Sequence, residues 1–184
     1  MNSATQMLAL VDRKPFTKRS RRRLDRGERS DYALEVTVAC TRKTFTGGLL
    51  QLKHTRAFVA LLDSGNNSWG SMSQAHFEGV CEAYEDFGEL ERRTVRLADG
   101  EALSAPAWFC NAWIHPEGRQ PDIEEPIKVP TGDGWSVFPA PCDGSTLGML
   151  SLRQLRARLD IDFDREVFSV LIPASVAGHG NAGA

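Results

Sequence analysis

The chain has 184 residues, 41% hydrophobic and 25% charged, which is typical of one ordinary globular domain with a short tail. Its longest apolar run, residues 57–62, is far too short to cross a bilayer, and the apolar stretch before Asp12 lacks the preceding charges of a secretory signal. We therefore expect an intracellular, cytoplasmic protein without membrane contact. The four cysteines and four histidines have no C-x-x-C pair and no other metal-ligand spacing, so the sequence predicts no metal site.

The net charge of −2 conceals two segments of opposite charge. Between Arg13 and Arg29 there are nine Lys or Arg residues and two acidic ones, a net charge of +7; from Tyr32 onward there are 13 basic and 20 acidic residues, a net charge of −7. Because the basic segment has few apolar residues to pack into a core, we predict that residues 1–32 form a basic arm that is disordered or extended. The arm is either a solvated linker or a weak nucleic-acid contact through Arg13 to Arg29, and the lack of aromatic residues between the arginines favours the linker.

Regular structure is predicted to begin at residue 33. Three stretches in the first half have strand patterns: residues 34–40, 49–53 and 57–62. The last of these is apolar at every position, which predicts a strand buried on both faces. After a loop rich in Ser, Gly and Asn, we place Ser73 as the N-cap of a short helix over residues 73–84.

The middle of the chain has strand patterns around a long polar segment. It predicts four short strands, at residues 94–98, 101–103, 107–114 and 135–138. Asp99-Gly100 separates the first two of these strands, and Asp-Gly at such a junction favours a hairpin turn. Residues 115–134 hold four prolines and three glycines among many charges, which predicts a long loop.

The last part of the chain predicts a helix followed by a hairpin. In residues 150–159, leucines recur at helical spacing with arginines between them, as in an amphipathic helix. Residues 159–163 and 167–172 alternate as two strands, while residues 174–184 are small and Gly-rich and predict a frayed tail. Many short strands with one or two short helices predict an all-β domain over residues 33–173, a sandwich or a partly open barrel.

The strand pattern at residues 57–62 ends abruptly at Asp63-Ser64-Gly65. A carboxylate at the end of a buried strand is costly unless hydrogen bonds or a reaction make use of it. One interpretation is a turn in which the Asp63 side chain accepts hydrogen bonds from the amides of Gly65 or Asn66. The other interpretation is a catalytic carboxylate, and the tripeptide alone does not separate the two.

Two segments together resemble the retropepsin-like family of retroviral and retrotransposon aspartic proteases. Ala60-Leu61-Leu62-Asp63-Ser64-Gly65 is similar to that family's catalytic loop. Thr146-Leu147-Gly148, with the helix and strand that follow it, resembles the family's apolar-apolar-Gly strand and the elements after it. The hairpin at Leu97-Ala98-Asp99-Gly100 lies between these segments, in the order in which the family has its mobile flap. Over the roughly 140 residues that the resemblance covers (34–173), Asn66 replaces the family's usual Ala and Thr146 replaces an aliphatic residue.

The resemblance implies a closed or partly open retropepsin-like barrel that forms dimers. The chain has one Asp-Ser/Thr-Gly, so an active site of this type needs Asp63 from each of two copies across a two-fold axis. The resemblance further implies that Ser64 braces the two loops, that Gly65 permits the tight turn and that residues 97–103 close over the substrate. It implies no metal and no organic cofactor.

We therefore expect an aspartic endopeptidase that cleaves polypeptides as a homodimer, for example in the processing of a retroelement polyprotein. Two other functions remain open on the sequence alone. The same barrel is also consistent with an inactive dimerisation or peptide-binding module. The basic arm is consistent with nucleic-acid binding.

Overall fold

The computed structural model describes residues 5–23, 27–42, 56–81, 91–96, 100–108, 110–129, 135–138 and 144–177. These residues are mostly β-strand with a few short helices, which confirms the all-β prediction. The strands are β1 Met7–Pro15, β2 Thr17–Arg23, β3 Gly27–Ala33, β4 Glu35–Arg42, β5 Arg56–Asp63, β6 Gly70–Ser73, β7 Glu91–Arg96, β8 Ala102–Trp108, β9 Cys110–Ile114, β10 Glu117–Gly118, β11 Ile127–Val129, β12 Trp135–Phe138, β13 Ser145–Gly148, β14 Arg158–Asp162 and β15 Val167–Pro173. The helices are α1 Gln74–Cys81, α2 Met149–Gln154 and α3 Ala174–Ala177.

The larger of the two main sheets is a curled half-barrel with the strand order β11-β9-β4-β5-β13-β6-β12-β8-β7. Most of its neighbours run antiparallel, but β5 pairs with β13, and β6 with β12, in parallel. A parallel pair needs a crossover connection rather than a tight turn, so these two contacts join segments that lie far apart in the sequence. They bring the end of β5 beside the end of β13.

A second sheet has the order β10-β1-β15-β14 and shares one hydrophobic core with the first. Leu10, Val11 and Phe168 from this sheet belong to the same buried cluster as Val36 and Phe58 from the larger sheet. The two sheets therefore stabilise each other through apolar burial, the dominant favourable contribution to folding.

The first part of the predicted basic arm is instead a core strand. Residues Met7–Pro15 form β1, which pairs with β15 along most of its length, and Leu10 and Val11 are completely buried. The prediction of disorder was wrong here because the average composition of residues 1–32 concealed a short apolar segment ahead of the arginines. Five of the arginines lie in an antiparallel hairpin, β2–β3: Arg19, Arg21, Arg22, Arg23 and Arg29.

Several local predictions are confirmed. Ser73 precedes α1 and its Oγ accepts a hydrogen bond from the His76 amide at 3.3 Å, as an N-cap does. β14 and β15 form the predicted C-terminal hairpin. The pairing of Arg96 with Ala102 likewise confirms a hairpin between β7 and β8.

Other predictions need correction. Residues 115–129 of the predicted loop lie mainly outside regular structure, as predicted, but they also contain the short strands β10 and β11 and bury Ile123, Ile127 and Val129 in the core. The predicted helix at residues 150–159 ends earlier, because Arg156 has a positive φ of 50° and β14 follows at once. Residues 174–177 form α3 rather than a frayed end. The predicted strand at residues 49–53 lies outside the described residues.

Among the helices in the described ranges, none has the length and apolar character that would let it cross a membrane.

The burial of β1 predicts that Leu10→Ala destabilises the whole domain. We expect a loss of about 2–5 kcal/mol in the free energy of unfolding, measured by urea denaturation, because a fully buried leucine leaves a cavity when it is truncated. Ile161→Ala, at a side chain that is 40% exposed, is the control and should cost less than about 1 kcal/mol. Equal stability of Leu10→Ala and the natural chain would contradict the placement of β1.

Candidate active site

Asp63 is the last residue of β5, a strand with neighbours on both sides. Antiparallel β4 pairs with one edge of β5 and parallel β13 with the other, so the strand end has a fixed position in the sheet. Phe58, Ala60 and Leu62 are buried, whereas Val59 is exposed and the Asp63 side chain is half-buried. The prediction that both faces of this strand are buried is therefore wrong: the face that carries Asp63 is accessible.

The Asp63 carboxylate takes part in a tight turn. Its Oδ1 accepts a hydrogen bond from the Gly65 amide at 2.9 Å, and its main-chain oxygen accepts one from the Asn66 amide at 3.2 Å. One interpretation of Asp63-Ser64-Gly65 was a turn closed by the Asp63 side chain, and that turn is present. It uses Oδ1, one of the two carboxylate oxygens. Ser64, the next residue, is exposed.

The strand ending at Gly148 lies directly beside this turn. In the parallel ladder Leu147 pairs with Leu62, and Gly148 pairs with Asp63. A Cβ at position 148 would lie 2.2 Å from the main-chain oxygen of Ser68, a separation that real Cβ atoms do not show. Glycine is therefore required at position 148 for the loop after Asp63 to pack against β13.

The same loop supplies hydrogen-bond acceptors to the start of α2. The amides of Gly148, Met149 and Leu150 donate to main-chain oxygens of residues 69, 66 and 68, at 3.0, 2.8 and 3.2 Å. The first amides of a helix lack partners within the helix, so these bonds satisfy groups that would otherwise be unpaired. The contact holds the helix start and the Asp63 loop together.

The side chains of Asn66 and Thr146, the two residues that set this sequence apart from the family it resembles, are bonded to each other. Asn66 Nδ2 donates to Thr146 Oγ1 at 2.7 Å, and Thr146 Oγ1 also lies 2.6 Å from Ser71 Oγ. Asn66 Oδ1 in turn accepts from the Ser68 amide at 2.9 Å and from Ser68 Oγ at 2.6 Å. The sequence showed each departure separately, but only the fold brings residues 66 and 146 into contact.

The residues expected to form the flap are described only in part. Leu97, Ala98 and Asp99 lie outside the described residues. Gly100 is exposed and has a positive φ of 89°, a conformation that favours glycine. The β7–β8 ladder runs from Glu91 opposite Ala107 to Arg96 opposite Ala102, so the glycine lies in the connection between the two strands.

A second polar cluster, which sequence reasoning missed, lies at the start of β13. Ser145 is almost completely buried, and its Oγ accepts a hydrogen bond from the Ser73 amide at 3.0 Å and lies 2.7 Å from His76 Nδ1. The His76 ring stacks at 5.2 Å on Phe58, and burial lowers its pKa below the ordinary value of 6.5. A neutral His76 ring suits this contact with the Ser145 hydroxyl, since either group can act as the donor in it.

Among the described residues, no three His, Cys, Asp or Glu side chains are close enough together to hold a metal ion.

Close packing at Gly148 predicts that Gly148→Ala destabilises the protein by about 3 kcal/mol, because the new Cβ meets main-chain atoms that have little room to move. Gly79→Ala is the matched control: a Cβ at this helical position meets no atom within 4 Å, and alanine should raise stability by up to about 1 kcal/mol. Thermal unfolding of both variants measures the difference. Similar melting temperatures for the two would contradict the packing described for residue 148.

The His76 cluster predicts a pH dependence of stability. The folded-state pKa of His76 is lowered, so between that value and 6.5 the unfolded chain binds more protons and stability falls as the pH falls. Asparagine keeps an acceptor near Ser145 but does not titrate, so His76→Asn should show a shallower loss of stability between about pH 7 and pH 5. Urea unfolding at several pH values tests this, and identical slopes would rule out a contribution from His76.

Comparison of the chain with protein-family models, with curated proteins and with solved structures found no significant match.

Proposed function

We propose that this chain is a retropepsin-like aspartic endopeptidase that works as a homodimer. The observation that carries the proposal is the position of Asp63: it ends a central strand on an accessible face, with one carboxylate oxygen held by the turn and Gly148 directly beside it. This arrangement gives a fixed carboxylate in a site open to a substrate. Fixed position is the first requirement for acid–base catalysis.

The topology supports the same proposal. The segments that resemble the protease family lie far apart in the sequence, yet β5 and β13 are adjacent and parallel in the sheet, and α2 begins where they end. The β7–β8 hairpin forms one edge of the same sheet. In the proposed enzyme this hairpin is the flap that closes over a bound peptide.

One chain supplies one such aspartate, so the proposed chemistry needs a second copy. Two Asp63 carboxylates across a two-fold axis cannot both ionise cheaply, and they share one proton. The ionised carboxylate takes a proton from water as the water attacks the peptide carbonyl, and the protonated one hydrogen-bonds the developing oxyanion. The pair then returns the proton to the leaving amine, and no step needs a metal ion.

Exposed apolar side chains near Asp63 fit a surface that a second copy covers. Val59, four residues before Asp63 on the same face of β5, is 45% exposed, and Met149, which follows Gly148 directly, is 39% exposed. Burial of such groups favours association. The exposed Ser64 is available for the bracing role that the family resemblance implies.

The proposal predicts that Asp63→Asn abolishes cleavage of an unfolded polypeptide substrate. We expect a loss of at least about four orders of magnitude in kcat/KM, because an amide can neither accept the proton from water nor share one with its partner. Asp164→Asn, which changes an exposed turn residue in the same way, is the control and should keep full activity. Sedimentation and circular dichroism should show that both variants fold and associate as the natural chain does.

Mixing experiments separate a shared site from a site within one chain. When inactive Asp63→Asn chains are added in excess to a fixed amount of natural chain, mixed dimers form and activity should fall sharply. Unchanged activity in the mixture would contradict the homodimeric dyad. A dimer that binds peptides but has no Asp63-dependent cleavage would instead establish the inactive binding module.

A further inference from the structure

The β2–β3 hairpin is a two-stranded ribbon that forms a sheet of its own. Its ladder pairs seven residues on each strand, from Thr17 opposite Ala33 to Arg23 opposite Gly27. At about 3.3 Å per residue, the ribbon is about 20 Å long. Most of the basic residues that the sequence concentrates before residue 30 lie on it.

The base of the ribbon is attached to the turn between β14 and β15. Glu166 in that turn makes three contacts: its main-chain oxygen accepts from the Phe16 amide at 2.8 Å, its Oε1 accepts from Tyr32 Oη at 2.9 Å, and its Oε2 pairs with Lys18 Nζ at 2.8 Å. Phe16 also packs edge-on against Phe163 at 6.0 Å. The ribbon therefore starts from a fixed point on the domain, which a disordered arm would lack.

The ladder sorts the charges between the two faces of the ribbon. Residues paired across an antiparallel ladder share a face, and successive residues alternate between faces. One face holds the positions of Lys18, Arg22, Glu28 and Tyr32, where Arg22 is opposite Glu28 and Lys18 is paired with Glu166. On this face the formal charges, counted together with Glu166, cancel.

The other face is strongly basic. It holds four arginine positions and one acidic position, a formal charge of +3: Arg19, Arg21, Arg23, Arg29 and Asp31. Arg21 is directly opposite Arg29, and like charges in that relation destabilise a ladder. A bound polyanion offsets the repulsion between these two positive charges. The arginine-rich face is therefore suited to an anionic partner.

We propose that this arginine face binds the phosphate backbone of double-stranded DNA. A two-stranded ribbon has the width that the major groove of B-form DNA admits, whereas the major groove of A-form RNA is too narrow for side chains to enter. No position on the arginine face is aromatic, so the face has no platform on which unpaired bases would stack. Binding of this kind depends on charge and not on base sequence.

The test measures binding of a fluorescein-labelled DNA duplex of about 20 base pairs to the full chain, by fluorescence anisotropy between 50 and 200 mM NaCl. The natural chain should show a linear fall of log K with log salt, with a slope of about −3 for three to four phosphate contacts. Arg21→Gln/Arg29→Gln should reduce the slope to about −1.5 and weaken binding at 100 mM salt by about 50-fold. Arg22→Gln/Arg165→Gln removes the same charge from the opposite ribbon face and from an exposed turn, and should leave slope and affinity close to natural.

Three results would overturn the proposal. Equal losses in the two double variants would mean attraction to overall charge and not to one face. Tighter binding of single-stranded DNA or of duplex RNA than of duplex DNA would exclude a major-groove ribbon. Binding of labelled polyglutamate as tightly as of duplex DNA would identify an acidic protein as the partner. Clearly weaker binding of single-stranded DNA, duplex RNA and polyglutamate than of duplex DNA supports the proposal.

Discussion

The absence of a side chain at Gly148 is the constraint on which the candidate site depends. Because this residue has no Cβ, the main chain of residues 66–69 can lie against β13, where its oxygens accept hydrogen bonds from the amides of Gly148, Met149 and Leu150. That contact aligns the end of β13 with the end of β5 and keeps the loop after Asp63 in one conformation. A single missing side chain thus links two segments more than 80 residues apart.

Asn66 and Thr146 join the loop after Asp63 to β13 through their side chains. A small apolar residue and an aliphatic one would fill this space by packing alone, whereas here an amide and a hydroxyl fill it with a hydrogen bond of 2.7 Å. Asn66 is also bonded to Ser68, and Thr146 also contacts Ser71, so the polar groups of this partly buried place have partners. The bond between the two side chains stabilises the loop beside Asp63 and does not involve the Asp63 carboxylate.

What the sequence could predict was local, and what it missed was long-range. The Ser73 cap, the β14–β15 hairpin and the end of a strand at Asp63 follow from neighbouring residues, and the structure has all three. The burial of β1 depends on β15, at the other end of the chain. The average composition of residues 1–32 combines the apolar residues of β1 with the arginines after them and so conceals this burial. The contacts of Ser145 with Ser73 and His76 likewise join residues about 70 positions apart, and no spacing rule connects them.

The two proposed surfaces depend on different parts of the fold, and a dimer would couple them. Asp63 lies at the end of the β5–β13 pair in the larger sheet, whereas the ribbon is attached through Glu166 to the smaller sheet. A change in the arginine face therefore leaves the carboxylate in place. A two-fold dimer that completes the aspartate pair also carries two ribbons, and two linked sites on one duplex bind more tightly than either site alone if the geometry lets both engage. Association through the Asp63 face would then raise DNA affinity without a new DNA contact.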